Sequence, residues 1–198
     1  MQELNLSLFH FFNDLASIPF FEMVVSIFVD WPIFVLPVFL LGYWIYYTYS
    51  SKKSTNIDAK NNLLFVFYST VLALLISLTI QQFVHLDRPE EHMQAWAKLL
   101  LDHLPDASFP SDHATVSIAF LTAIFFAWYK KWWLILAAPF IIMNISRVIA
   151  WVHWPFDIIA GSLVWIVGAY LVFSHISQIK FVKNLNLWII NIMKYIKL

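Results

Sequence analysis

Histidines, arginines, serines and aspartates stand close to prolines in three short segments of the sequence. The segments are residues 85–89 (HLDRP), 109–113 (FPSDH) and 146–157 (SRVIAWVHWPFD). Two arginines that face one cavity repel each other unless an anion lies between them, and the arginine fork fits carboxylate and phosphate. The three segments therefore indicate an anion site, and phosphate is the anion that their other residues favour.

The histidines add reactive groups to this anion site. His153 and Asp157 are four residues apart, so the carboxylate can reach the imidazole, fix its tautomer and raise the basicity of the other ring nitrogen. His113 is a second histidine, and the pair supplies a nucleophile and a general acid. Ser111 follows a proline at a good N-cap position, and helix N-termini bind phosphate. These residues predict phosphoryl transfer in which the two arginines neutralise charge.

The composition places these residues in a membrane protein. Of the 198 residues, 61% are hydrophobic and only 12% are charged, about half the charged share of soluble domains. A soluble chain of this length could not bury so much apolar surface. The absence of cysteine excludes disulfide frameworks and thiolate metal sites, and the balance of 12 basic and 12 acidic residues gives no net charge for nucleic acid. With three glycines and no P-loop pattern, we expect no nucleotide partner.

Uncharged apolar runs predict how the chain crosses the bilayer. Five such runs are residues 31–51, 63–84, 114–129, 132–146 and 158–179. Residues 19–29 are apolar but too short to cross alone, and we interpret them as a re-entrant or kinked extension of the first span, with a sixth crossing left open. Residues 4–15 and 185–198 have the pattern of interfacial amphipathic helices.

The predicted fold class is therefore all-α: a polytopic membrane helix bundle of five to six transmembrane helices with interfacial helices. It forms a single domain over residues 1–198. Nine of the 12 basic residues fall on one predicted side, namely Lys52, Lys53, Lys60, Lys130, Lys131, Lys180, Lys183, Lys194 and Lys197. The positive-inside rule makes that side cytoplasmic and puts the three polar segments at the outer face.

The three segments, in this order, resemble the signature motifs of the type-2 phosphatidic acid phosphatase superfamily. Arg88-Pro89 resembles the end of KxxxxxxRP, and residues 110–113 (PSDH) resemble PSGH. Residues 146–157 resemble the third motif, in which five residues separate Ser-Arg from His and three residues separate that His from Asp. The match spans residues 81–157. Within the superfamily, the short chain and the run LPDASFPSDHAT are similar to the bacitracin-resistance type of undecaprenyl diphosphatase.

The resemblance implies a role for each site residue. His153 would attack phosphorus and carry a phosphohistidine intermediate, Asp157 would orient it, and His113 would protonate the leaving oxygen. The residues that would hold the phosphoryl group are Arg88, Arg147 and Ser111. No metal or other cofactor would be required. The implied substrate is a lipid phosphate, undecaprenyl diphosphate, cleaved at the outer face of a bacterial cytoplasmic membrane to recycle the cell-wall lipid carrier.

Two positions depart from the family motifs. Gln81 occupies the place of the lysine in KxxxxxxRP, and Asp112 replaces the glycine of PSGH. A carboxylate beside an anionic substrate is unexpected, so we expect Asp112 to cap the helix or to bind an arginine. Neither position is taken as a phosphate-binding residue.

Other functions remain open at this point. The substrate could instead be phosphatidylglycerophosphate, phosphatidate or a lipid A phosphate, because the sequence does not show the acceptor side of the pocket. A non-catalytic lipid-phosphate binder or transporter would need only the arginines, and the histidines argue against it. Residues 93–104 have helical apolar spacing that includes Trp96, and we hypothesise that they line the access route for a lipid.

Overall fold

All regular structure in the described part of the chain is helical. The computed structural model describes residues 2–50, 53–92, 107–127 and 129–197, and the helix proposed over residues 93–104 lies outside them. The α-helices are α1 (Gln2–Asp14), α2 (Pro19–Phe28), α3 (Val35–Tyr49), α4 (Lys53–Phe83), α5 (Asp112–Phe126), α6 (Lys130–Ile149), α7 (Pro155–Ser174) and α8 (Lys180–Tyr195).

Four stretches of the described residues are long and apolar enough to cross a membrane. They are Pro19–Tyr49, Asn56–Phe83, Lys130–Ile149 and Pro155–Gln178. The shorter apolar helix α5 has 15 residues and is largely buried among its neighbours. A helix satisfies its own backbone hydrogen bonds, which is why apolar chains cross bilayers in this form. The prediction of an all-α polytopic membrane bundle is confirmed.

The helix bounds differ from the apolar runs where polar residues continue a helix. The second run was predicted from residue 63, but α4 begins at Lys53. Its extra turns carry Lys60, whose Nζ donates to Thr48 Oγ1 at 2.8 Å and lies 4.7 Å from the centre of the Trp44 ring. Within residues 19–29, α2 ends at Phe28, and a 3₁₀ turn (Trp31–Phe34) joins it to α3 within one candidate span. They are thus a kinked extension of the first span.

Helix α5 occupies the centre of the bundle, in contact with α4, α6 and α7. Small side chains let it approach α7 closely, as is common between membrane helices. The closest approach is at Gly161 of α7, where a Cβ atom would lie 2.9 Å from Thr115 Oγ1 and 3.3 Å from the carbonyl oxygen of Ser111. This contact fixes the start of α5 against the start of α7, so the second and third polar segments meet.

Helix α1 packs across the end of the bundle that carries the polar segments. The ring of Phe9 lies 4.9 Å, centre to centre, from both Trp151 and Trp154. Asn13 Nδ2 donates to the carbonyl oxygen of Ile149 at 3.2 Å, and Asn5 Oδ1 accepts from the Phe156 N–H at 3.0 Å. Helix α1 therefore holds the connection between α6 and α7 from outside.

Candidate active site

The connection between α6 and α7 presents His153 to the interior. After α6 ends, the carbonyl oxygen of Arg147 accepts from the backbone N–H groups of Val152 and His153 at 3.0 and 3.3 Å. Trp151 adopts a left-handed conformation with φ of 65°, which costs energy for a residue with a Cβ atom and persists only where packing enforces it. The chain reverses within five residues and then enters α7 at Pro155, whose ring suits a first helical turn.

The ring of His153 is held by one nitrogen, which leaves the other available. Its Nδ1 lies 3.0 Å from the carbonyl oxygen of Ser108, and its Nε2 lies 3.4 Å from Arg88 Nη1. Because a carbonyl oxygen can only accept, this contact requires the proton on Nδ1. The lone pair is then on Nε2 and faces the guanidinium, as a nucleophile toward an arginine-bound phosphoryl group requires.

Asp157 supports His153 through Ser108. The sequence predicts direct contact, but the distance from Asp157 Oδ2 to His153 Nδ1 is 3.7 Å, longer than a hydrogen bond. Asp157 Oδ2 accepts instead from Ser108 Oγ at 2.5 Å and from the Trp154 N–H at 2.9 Å. The carboxylate therefore fixes both Ser108, whose carbonyl oxygen holds the imidazole, and the first turn of α7.

Arg88 is buried beside His153. Its Nη1 donates to the carbonyl oxygen of Val152 at 2.7 Å, so the residue before His153 holds the guanidinium. Its backbone N–H donates to Glu91 Oε1 at 3.3 Å, which anchors the 3₁₀ turn (Pro89–His92) that follows. The contact with the Val152 carbonyl oxygen places the guanidinium beside the imidazole of His153.

Arg147 and His113 meet at an acid that the sequence reasoning did not select. Arg147 Nη1 donates to Asp30 Oδ1 at 2.5 Å, and His113 Nε2 lies 3.3 Å from the same oxygen. The side chain of Arg147 is 1% exposed, that of His113 24% and that of Asp30 44%. The predicted phosphate ligand and the predicted acid thus share one carboxylate at the mouth of the site.

Ser111 is the N-cap of α5. Its buried Oγ accepts from the Ala114 N–H at 3.5 Å, and its own N–H points at the carbonyl oxygen of Asp157, also at 3.5 Å. These long contacts place the serine where α5 begins, beside the start of α7. The positive end of the α5 dipole therefore adds to the arginine charges near His153.

Electrostatics keep His153 neutral. Burial of the ring lowers its pKa well below the ordinary value, and the charges of Arg147, Arg88 and His113 lower it further. The hydrogen bond to the Ser108 carbonyl acts in the opposite direction and is the smaller influence. A neutral imidazole keeps its lone pair at physiological pH, which a nucleophile needs.

The two residues that depart from the family motifs, Gln81 and Asp112, form a hydrogen bond with each other. Asp112 Oδ1 accepts from Gln81 Nε2 at 3.0 Å and from Ser77 Oγ at 2.6 Å, and Gln81 also donates to the Pro110 carbonyl oxygen at 3.1 Å. The expectation that Asp112 caps the helix or binds an arginine is not met by these contacts. They tie α4 to the start of α5, and a lysine at position 81 would meet this carboxylate.

The structure thus brings all six predicted site residues to one end of the bundle and adds Asp30 and Ser108. The sequence contains one indication of the role of Asp30: an acidic residue between two apolar stretches usually has a polar partner in the folded protein. Nothing in the sequence indicates the role of Ser108, because that role depends on its backbone carbonyl group. In the residues described above, no three His, Asp or Glu side chains are close enough to hold a metal ion.

Known proteins resemble this chain in sequence and in fold. The family model of the PAP2 superfamily matches residues 62–180. The chain belongs to the PAP2 superfamily. This PAP2 protein is 30% identical to the "Bacitracin transport permease protein BcrC" of Bacillus licheniformis, over 92% of this chain and 86% of that one. It is 25% identical to the "Undecaprenyl-diphosphatase BcrC" of Bacillus subtilis, over 77% of this chain and 73% of that one.

The fold of this PAP2 protein also resembles a solved structure. The crystal structure of Aquifex aeolicus LpxE superposes with a TM-score of 0.61 at 22% identity, covering 87% of this chain and 96% of that one. The family model and the relatives confirm the resemblance of the three polar segments to the type-2 phosphatidic acid phosphatase superfamily. The chain is a multi-pass membrane protein of a lipid-phosphatase family.

Proposed function

We propose that this PAP2 protein hydrolyses undecaprenyl diphosphate to undecaprenyl phosphate and inorganic phosphate through a phosphohistidine intermediate. The observation that carries the proposal is the state of His153: Nδ1 is held by a backbone carbonyl, and Nε2 faces Arg88 at 3.4 Å. The choice of lipid is supported by the relative named undecaprenyl-diphosphatase and by the LPDASFPSDHAT run.

The reaction has two displacements at the terminal phosphorus. In the first, His153 Nε2 forms the N–P bond while the bond from phosphorus to the bridging oxygen breaks, and His113 gives that oxygen its proton. Undecaprenyl phosphate leaves. In the second, a water attacks the phosphohistidine, His113 takes a proton from it, and the N–P bond breaks to release phosphate. One general acid therefore serves as the general base of the second step.

Arg88, Arg147 and the Ser111 end of α5 would hold the transferred phosphoryl group. Phosphoryl transfer needs positioning and neutralisation of the equatorial oxygens more than covalent assistance. Two guanidiniums and a helix N-terminus supply both, so the proposed reaction assigns no step to a metal ion.

The proposal places the site at the outer face of a bacterial cytoplasmic membrane. The positive-inside rule supports this, because nine of the 12 basic residues are predicted to lie on the side away from His153. There the reaction would recycle the lipid carrier of cell-wall synthesis, and removal of undecaprenyl diphosphate would oppose bacitracin.

The test is phosphate release by detergent-purified protein in the presence of EDTA. We would compare undecaprenyl diphosphate with phosphatidate and phosphatidylglycerophosphate, using wild type, His153→Ala and His175→Ala. His175 is an exposed histidine at the other end of α7 and provides the matched control. We expect release by wild type and by His175→Ala, fastest from undecaprenyl diphosphate, and none by His153→Ala.

Each of the other outcomes would correct one part of the proposed function. A faster reaction with another lipid would replace the substrate and keep the chemistry. A wild type that binds lipid phosphates without releasing phosphate would favour the binder or transporter, a function consistent with the permease name of one relative. Release that survives His153→Ala would refute the nucleophile.

A further inference from the structure

Asp30 lies where α2 gives way to the turn that begins α3, outside residues 62–180 that the family model matches. An acid in an apolar segment is costly unless it is paired. Its Oδ1 contacts two groups of the site, Arg147 Nη1 at 2.5 Å and His113 Nε2 at 3.3 Å. The carbonyl oxygen of Val29 accepts from the same Arg147 nitrogen at 3.4 Å. The break between α2 and α3 thus delivers a side-chain carboxylate and a backbone carbonyl to the site.

A carboxylate in this position has two effects on the imidazole of His113. It accepts the Nε2 hydrogen and so fixes the rotation of the ring, as a carboxylate hydrogen-bonded to a metal-bound histidine does. Its charge also stabilises the doubly protonated ring that a general acid must be before the first step. Burial of the ring and, to a smaller extent, the neighbouring Arg147 oppose that protonation, and the negative charge of Asp30 acts against both.

We propose that Asp30 is a positioning residue for proton donation: it holds His113 by Nε2, so that the other ring nitrogen delivers the proton to the leaving oxygen. This inference rests on the proposed function of the site. Asp30 exchanges no proton with the substrate itself. Its contact with Arg147 orders the guanidinium and the imidazole relative to each other, which links phosphoryl binding to leaving-group protonation.

The role predicts a dependence on the leaving group. p-Nitrophenyl phosphate releases a stabilised anion that departs without a proton, whereas octyl phosphate releases an alkoxide that requires one. General acid catalysis contributes about 10²- to 10⁴-fold where a proton is needed, and loss of a supporting carboxylate costs about 10- to 100-fold of activity. Single-turnover release of the leaving group, measured with enzyme in excess, reports the first step without the second step in which His113 acts as base. We therefore expect Asp30→Asn to lower the single-turnover rate for octyl phosphate about 10- to 100-fold and to change the single-turnover rate for p-nitrophenyl phosphate little.

Two further variants separate positioning from folding. Asp14→Asn makes the same chemical change at an exposed position of α1 and should leave both rates unchanged. Asp30→Glu keeps the carboxylate and should restore a large part of the octyl phosphate rate. If Asp30→Asn does not fold, the ratio of the two rates in Asp30→Glu still measures the dependence.

A double variant tests whether the effect passes through His113. In a His113→Asn background, Asp30→Asn should cause no further loss on octyl phosphate. Equal losses on both substrates, or additive losses in the double variant, would show that Asp30 acts on Arg147 alone and overturn the inference. A lower KM in Asp30→Asn would show a carboxylate that competes with phosphate, which also overturns it. A wild type inactive on every phosphate would instead refute the proposed function.

Discussion

Ser108→Ala is the substitution that best tests how Asp157 reaches His153. The hydroxyl of Ser108 is buried and donates to Asp157 Oδ2 at 2.5 Å, while the carbonyl of the same residue accepts from His153 Nδ1 at 3.0 Å. A hydrogen bond to a charged group contributes about 1.5–3 kcal/mol. If that support is lost from the transition state, kcat/KM falls about 10- to 150-fold.

The measurement is the initial rate of phosphate release together with the thermal midpoint of the purified protein. We expect Ser108→Ala to lower kcat/KM within that range, and Asp157→Asn to lower it as well. The double variant should be no worse than the more damaging single variant, because residues in one hydrogen-bonded chain are not additive. Ser69→Ala is the matched control, since this buried serine donates only to a carbonyl of its own helix α4 at 2.9 Å.

An unchanged kcat/KM in Ser108→Ala, together with a large loss in Asp157→Asn, would refute the reasoning. Asp157 would then act on the imidazole directly, after a movement that closes the 3.7 Å distance. A loss of thermal stability without a loss of rate would assign Ser108 to folding alone.

Three further expectations concern packing, pH and the network around α5. Gly161→Ala should lower stability by about 1–3 kcal/mol, because its Cβ atom would overpack α5; Gly42→Ala, where nothing lies within 4 Å, should not show this effect in thermal unfolding. The lowered pKa of His153 keeps the ring neutral to lower pH, so the acid limb of kcat/KM should fall below about 6.5. Removal of a positive charge in Arg88→Gln should raise that pKa and shift the limb to higher pH; a shift the other way would contradict the assigned nucleophile. Asp112→Asn removes the charged acceptor of two hydrogen bonds from α4 and should lower the thermal midpoint, whereas an unchanged midpoint would show that the network does not stabilise the bundle.

Much of the bundle could be predicted because membrane helices are marked by uncharged length. The five apolar runs correspond to helices, and the prolines beside the polar residues mark the ends of spans. The bounds were less predictable where polar residues extend a helix beyond the apolar run, as at Lys60 of α4. Hydropathy measures transfer into lipid and does not record a helix that continues beyond the apolar residues.

The site could be predicted where its residues lie close together in the sequence. His153 and Asp157 lie on consecutive parts of one segment, and their residue types indicate their use. Their connection through Ser108 could not be predicted, because it depends on a backbone carbonyl brought in from a loop 45 residues away. Asp30 comes from the first span and reaches the site only because α2 and α6 pack together. Tertiary contacts of this kind leave no spacing pattern in the sequence.

The central claim, a phosphoryl group carried by His153, is tested most directly by trapping the intermediate. The substrate would be undecaprenyl diphosphate labelled at the terminal phosphate. We would quench the reaction in alkali, because the N–P bond is labile in acid, and then digest the protein with trypsin. Cleavage after Lys98, Lys130, Arg147 and Lys180 separates peptide 99–130, with His113, from peptide 148–180, with His153. Peptide 148–180 also contains His175, which the His175→Ala variant removes. We expect the label on peptide 148–180 in wild type and in His175→Ala; label on peptide 99–130, or turnover with no labelled peptide, would contradict the proposed mechanism.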